Sequence, residues 1–119
     1  MTSTDVCMGG AAEQARMIAA GEVAVRELVD ATLRRIDDLD PLLHAYRIVL
    51  AEQAMDRAAE LDELPTGERG VLHGVPVAVK DDTAVAGTTT TFGSAAHGPP
   101  AGVDAVVVGR LRTAGAVIE

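Results

Sequence analysis

Aromatic residues are almost missing from this chain: Tyr46 and Phe92 are the only two, and there is no tryptophan. That leaves no stacking platform for single-stranded nucleic acid. Positive charge is short as well, with 10 basic against 18 acidic residues and a net charge of −8 at pH 7. Such a balance opposes binding to phosphate backbones and to anionic membrane surfaces. Cysteine occurs once, at Cys7, so no internal disulfide can form. With three scattered histidines it makes no zinc-ligand spacing. The expectation is a cytoplasmic protein that needs no metal and no cofactor. Apolar runs are only a few residues long and no basic start leads into an apolar core, so neither a signal peptide nor a membrane span is expected.

Lysine is the scarcest residue with chemistry to offer. Lys80 is the only one, against nine arginines, and it closes the most apolar strand-like run, "HGVPVAVKDD" from His73 to Asp82. Arginine does not give up its proton in a protein. Any nitrogen base of lysine type in these residues is therefore Lys80.

At 119 residues the chain has room for one domain or a piece of one, with a modest core. Residues 1–10 have no hydrophobic period and two glycines, and read as a flexible lead-in. A short helix is expected from Ala11, with Ala12, Ala15, Ile18 and Ala19 on one face and Gly21 as its stop. A stronger helix follows, since Val25, Leu28, Val29, Thr32, Leu33 and Ile36 recur at helical spacing until Pro41 forbids continuation. The stretch "HAYRIVL", His44 to Leu50, is β-prone without clean alternation and could pass for helix.

Ala51 to Leu61 reads as a helix with Ala51, Ala54, Met55, Ala58 and Leu61 inward, and Pro65, Gly67 and Gly70 make a loop. Val75, Val77 and Val79 alternate with Pro76, Ala78 and Lys80. This predicts a strand apolar on both faces, as in a sheet covered on both sides, with Pro76 at its start or at an unpaired edge. Thr83 to Ala101, with four consecutive threonines, is a long ordered loop. Asp104 is placed to cap a helix carrying Val106, Val107, Leu111 and Ala114 inward, stopped by Gly115. "AVIE" begins a further strand.

Two stretches carry a resemblance. "GVLHGVPVAVKDDTAVAGTTTTFGSAA", Gly70 to Ala96, followed by "DAVVVGRLRTAGAVIE", resembles the N-terminal part of the amidase signature family of amide hydrolases. "EQARMIAAGEVAVRELVDATLRRIDDLDPLLHAY" is similar to that family's two-helix opening with its Asp-Pro turn. The resemblance implies an α/β fold, the N-terminal part of a mixed sheet sandwiched by helices, with residues 11–119 forming one portion of a single amidase domain. It also implies a Ser-cisSer-Lys triad, in which a lysine relays through a serine in a cis peptide to a second serine that attacks the amide carbonyl. Lys80 matches that lysine. A lysine buried between apolar strands has its charged form disfavoured, which suits a neutral amine acting as base.

The family's two serines lie in a glycine- and serine-rich segment downstream of the lysine strand. Only Ser3 and Ser94 occur here, and Ser94, in "TFGSAA", lacks the glycine spacing of a nucleophile elbow. The expectation is that these 119 residues by themselves do not hydrolyse amides. Other readings stand beside this one. Within the family, the chain could belong to the glutamine-hydrolysing component of a transfer-RNA-dependent amidotransferase, its A subunit, which releases ammonia from glutamine. Outside it, the chain could be a non-catalytic α/β fragment that homodimerises or needs a complementing chain, or a Schiff-base former at Lys80.

For the remaining residues the plain readings are preferred. Asp81 and Asp82 read as a solvated acidic turn, the threonine run as a loop satisfying its own backbone rather than an anion cradle, and His73 as a packing or hydrogen-bonding residue. His44 and His97 have no partner in view, and Cys7 reads as inert.

Overall fold

The computed structural model describes the backbone from Ser3 to Glu119 and the side chains from Val6 onward. Its elements run α1 (Ser3–Met8), α2 (Gly10–Ala19), α3 (Val25–Leu43), α4 (Ala51–Glu63), a 3-10 turn (Thr66–Glu68), β1 (Pro76–Val77), α5 (Val106–Thr113) and β2 (Val117–Ile118). The lead-in is corrected here: Ser3–Met8 is helical, and Val6 packs against the main core. Gln14 explains the arrangement, because its buried amide donates to the carbonyl of Val6 at 3.2 Å. That bond turns Gln14 inward, so the buried stripe of α2 is Gln14, Met17 and Ile18 rather than the alanine face. Residues 1 and 2 of the expected lead-in lie outside the described residues.

The α3 helix starts with help from far along the chain. Asp62 of α4 accepts the N–H groups of Val25 at 2.7 Å and Arg26 at 3.1 Å, satisfying donors that a helix leaves unpaired at its first turn. Glu27 reaches back to the N–H of Ala24 at 2.9 Å. The helix then runs through Pro41 to Leu43, against the expected stop. Pro41 sits in the last, exposed turn, where only one bond is lost, and the Asp40 carboxylate gathers the departing chain by accepting from the N–H groups of Ala45 and Tyr46. In α4, Ala54, Ala58 and Leu61 are buried as expected, while Ala51 is exposed. The β-prone stretch 44–50 forms no strand.

β1 and β2 pair in parallel, Pro76 opposite Val117 and Val77 opposite Ile118. The N–H of Val117 donates to Val75 at 2.9 Å and that of Glu119 to Val77 at 3.1 Å. Pro76 stands between the two carbonyls that β2 uses, so its missing N–H costs the ladder nothing. Successive residues point to opposite faces, and the two faces of β2 meet different cores. Val117 packs with Ile18, Val25, Leu28, Val29 and Leu61 of the α2–α4 layer. Ile118 packs with Val85 and with Val108 of α5. This is an α/β arrangement, a short parallel sheet covered by helices on both sides. The inward stripe of α5 is Ala105, Val108 and Leu111, whereas Val106 and Val107 are exposed. The expected Asp104 cap is also absent, because its carboxylate accepts from the Ala86 N–H and from Arg112.

Two glycines let the sheet meet its connections. Gly115 has φ 96°, and a Cβ there would lie 2.8 Å from the Cα of His73; Gly74 has φ 79° and would place a Cβ 2.5 Å from Val25. Both positions demand the left-handed region and a bare backbone.

Candidate active site

Beyond Val77 the chain leaves the ladder, and Val79 still turns toward the second core. Lys80 turns the other way. Its side chain is 84% exposed, with Nζ 3.3 Å from Asp82 Oδ2. The expected burial is therefore corrected: the paired strand ends before Lys80, and among the described residues nothing covers it on that side. Lys80 stands on the rim of a groove of about 450 Å³. Tyr46 and Arg47 come to the groove from the 44–50 stretch, Thr88 and Thr89 from the long loop, and Ile118 and Glu119 from β2 and the residue after it.

Asp81 ties these walls together. Its carboxylate accepts from Arg47 Nε at 2.9 Å and Arg47 Nη2 at 3.2 Å, from the Thr91 N–H at 3.0 Å, and from the Thr91 hydroxyl. Its own carbonyl accepts the Phe92 N–H at 3.0 Å. Arg47 continues the connection to the hydroxyl and the carbonyl of Thr89. The Thr91 hydroxyl foremost, then Arg47, hold the Asp81 carboxyl at about 2. Asp82 is also lowered, by the Thr83 hydroxyl first and Lys80 second. Asp81 is thus a built-in anchor, and only Asp82 remains the solvated acid of the expected turn.

The threonine run satisfies its own surroundings. The Thr88 hydroxyl donates to Val85 at 2.8 Å, Thr91 to Asp81 and Thr83 to Asp82. Within the run 88–91, the Thr88 and Thr91 hydroxyls are thus spent internally, and the Thr89 hydroxyl accepts from Arg47. Ser94 accepts the Ala96 N–H at 3.0 Å in a local turn and does not line the groove.

Glu119 is the residue the sequence hid best. It is buried, its carboxyl accepts from the Thr32 hydroxyl, and burial pushes its protonation upward. The signal was the alternation of "AVIE", which puts Glu119 on the Val117 side. His73 is buried with no completed hydrogen bond at either ring nitrogen. Burial first, and the Arg69 charge second, lower its affinity for a proton, while the Leu61 carbonyl and Asp62 partly oppose them. His44 ends α3 in the left-handed region at φ 51°, and His97 is exposed. Burial raises the Cys7 thiol, with Arg35 opposing, which keeps it in the unreactive form. Among the described residues no cluster could hold a metal ion and no helix is long and apolar enough to cross a membrane.

The Amidase family model matches residues 27–119. The chain is 51% identical, over 99% of its length and 26% of the relative's, to the protein named as amidase AmiB2 of Mycobacterium tuberculosis (strain ATCC 25618 / H37Rv). It is 45% identical, over 90% of its length and 22% of the relative's, to the A subunit of the glutamyl-tRNA(Gln) amidotransferase of Halorhodospira halophila. Among solved structures it superposes with a TM-score of 0.83 on the native peptide amidase of Stenotrophomonas maltophilia, at 37% identity over 93% of this chain and 24% of that one. The chain spans about a quarter of the length of the proteins it matches. It belongs to the amidase signature family.

Proposed function

We propose that these residues are the N-terminal portion of an amide hydrolase in which Lys80 is the relay base of a Ser-cisSer-Lys triad. The observation that carries this reading is the place of Lys80: the only lysine, at the end of the apolar run "VPVAVK" that carries β1, on the rim of a groove, in a chain of this family. In this mechanism the neutral amine of Lys80 takes a proton from the cis-peptide serine, which takes one from the nucleophilic serine as that oxygen attacks the carbonyl carbon. The C–N bond breaks as the returning proton reaches the leaving nitrogen, and water then releases the acyl group from the serine. Both serines lie outside these 119 residues. Closure of the groove by the rest of such a domain is what desolvates Lys80 and favours its neutral form. The setting is cytoplasmic, and the substrate a small amide.

The test is amide hydrolysis by the complete open reading frame, with Lys80 intact and as Lys80→Met. Activity is expected to fall by at least a hundredfold, the low end of general-base effects, and the same substitution is expected to leave the melting of the 119-residue chain, where Lys80 is exposed, unchanged. A variant that keeps full activity sinks the relay role. The 119 residues alone are expected to show no turnover. A second reading has its own support in the 45% identity to an amidotransferase component. It predicts ammonia release from glutamine, and no hydrolysis of other amides, in the presence of partner proteins.

A further inference from the structure

Lys80 is held at its backbone while its exposed amine meets only Asp82 among the described residues, and the holding is done by groups that no step of the proposed reaction uses. Asp81 follows it directly. The carboxylate of Asp81 takes four hydrogen bonds from two residues, Arg47 and Thr91, and its carbonyl takes a fifth from Phe92. Arg47 adds two bonds to Thr89. Three segments are thereby joined at one carboxylate beside the lysine: the turn at 81–83, the threonine run 88–91 that follows it, and the unpaired stretch 44–50, which is distant in sequence. The same three segments form the walls of the Lys80 groove. None of them belongs to a helix or strand, so regular backbone pairing does not fix them. A bidentate guanidinium-carboxylate pair with further donors to the same carboxylate is the kind of arrangement that sets geometry as well as energy.

We infer that Asp81 and Arg47 are positioning residues for the Lys80 site: together they clasp the threonine run to the groove and fix the main chain from which Lys80 projects. The inference rests on the reading of Lys80 as the base. The clasp leaves the amine of Lys80 exposed and paired only with Asp82 among the described residues, so rotation of the side chain can carry the amine to its target while its root stays put. It also accounts for an arginine in a β-prone stretch that forms no strand: Arg47 serves the groove instead of a ladder.

The experiment uses the 119-residue chain and needs no amide turnover. Amide hydrogen exchange is measured residue by residue in wild type, Asp81→Asn, Arg47→Met and Arg47→Lys. In Asp81→Asn the Thr91 and Phe92 amides are expected to exchange roughly tenfold faster or more, the loss of charged hydrogen bonds, while the Val117 and Glu119 amides of the ladder keep their protection. Because Lys80 is the sole lysine, its 13C-dimethylated amine gives one side-chain resonance. That resonance is expected to move in Asp81→Asn and Arg47→Met, in both of which Lys80 stays the only lysine; in Arg47→Lys rescue is read from the Thr91 and Phe92 amides, whose exchange is expected to return toward the wild-type rate. The Asp81 carboxyl, titrating at about 2, is expected to rise in Arg47→Met.

Unchanged Thr91 and Phe92 exchange in a folded Asp81→Asn, or an Asp81 titration indifferent to Arg47→Met, overturns the clasp. A Lys80 resonance that ignores both substitutions overturns its link to the lysine. Should Asp81→Asn not fold, the Arg47 variants still decide, since Arg47 is partly exposed. Failure of the relay-base reading looks different: the clasp signatures persist while Lys80→Met retains activity in the complete hydrolase.

Discussion

His73 is a buried base with no completed hydrogen bond at either ring nitrogen, and its consequence is a pH-dependent stability. The ordinary imidazole value is 6.5 and the folded value is lower. The folded chain therefore binds fewer protons than the unfolded one as pH falls below 6.5, and stability is lost between the unfolded and folded values. Urea unfolding of wild type and His73→Leu at a series of pH values between 7 and 5 checks this, with the variant expected to show the flatter profile. Glu119 works in the other sense. Its folded value is raised above 4.5, so its contribution is full below that value and fades as pH rises through the folded one. A Glu119→Gln variant is expected to gain on wild type as pH rises from 4 to 7. Asp81, held low, supports the fold above 3.8 and loses that support only toward about 2. The solitude of Lys80 was legible in the sequence; its exposure was not, because what covers a strand end is a property of segments far away.

Among the elements, α3 and the Gly74–Gly115 corner carry the sharpest expectations. Asp62 caps α3 from another helix, and Asp62→Ala is expected to cost about 0.5–2 kcal/mol in denaturant unfolding, whereas a local cap would have left α4 uninvolved. Gly115→Ala forces a left-handed alanine against the His73 backbone and is expected to cost about 1–3 kcal/mol, read as a lower melting temperature. A Gly115→Ala protein as stable as wild type would show that the corner can relax. The long helices α3 and α4 were readable because leucine, valine and alanine recur there at one helical period. The faces of α2 and α5 were not. Three consecutive valines at 106–108 cannot say which points inward, and in α2 the deciding residue was a glutamine that bonds the helix before it. The stretch 44–50 misled for a related reason: β-propensity expresses itself only with a neighbouring strand, and here Arg47 is engaged by Asp81 instead.

For the molecule as a whole, the family was readable from the motif around Lys80, and the helix-covered sheet followed from the alternation of Val75, Val77 and Val79. The surface is less tidy. Val103, Val106 and Val107 are exposed around the start of α5, a patch of the sort that promotes association. The paired substitution Val106→Ser with Val107→Ser is expected to shift stability by less than about 0.5 kcal/mol each and to reduce self-association in sedimentation velocity. An unchanged sedimentation profile would remove the patch as a cause.

The parallel pairing of Pro76 with Val117 joins residues about forty positions apart. Loop closure over such a span is an entropic cost that must be met before the pairing returns anything. The α3–α4 layer, by contrast, lies wholly upstream of Gly70. On a ribosome that delivers the N-terminus first, the helical layer can assemble while the strand leading to Lys80 still lacks its neighbour. The lysine then takes its place only when Val117 arrives, so the strand that carries it is set later than the helical layer on which it lies.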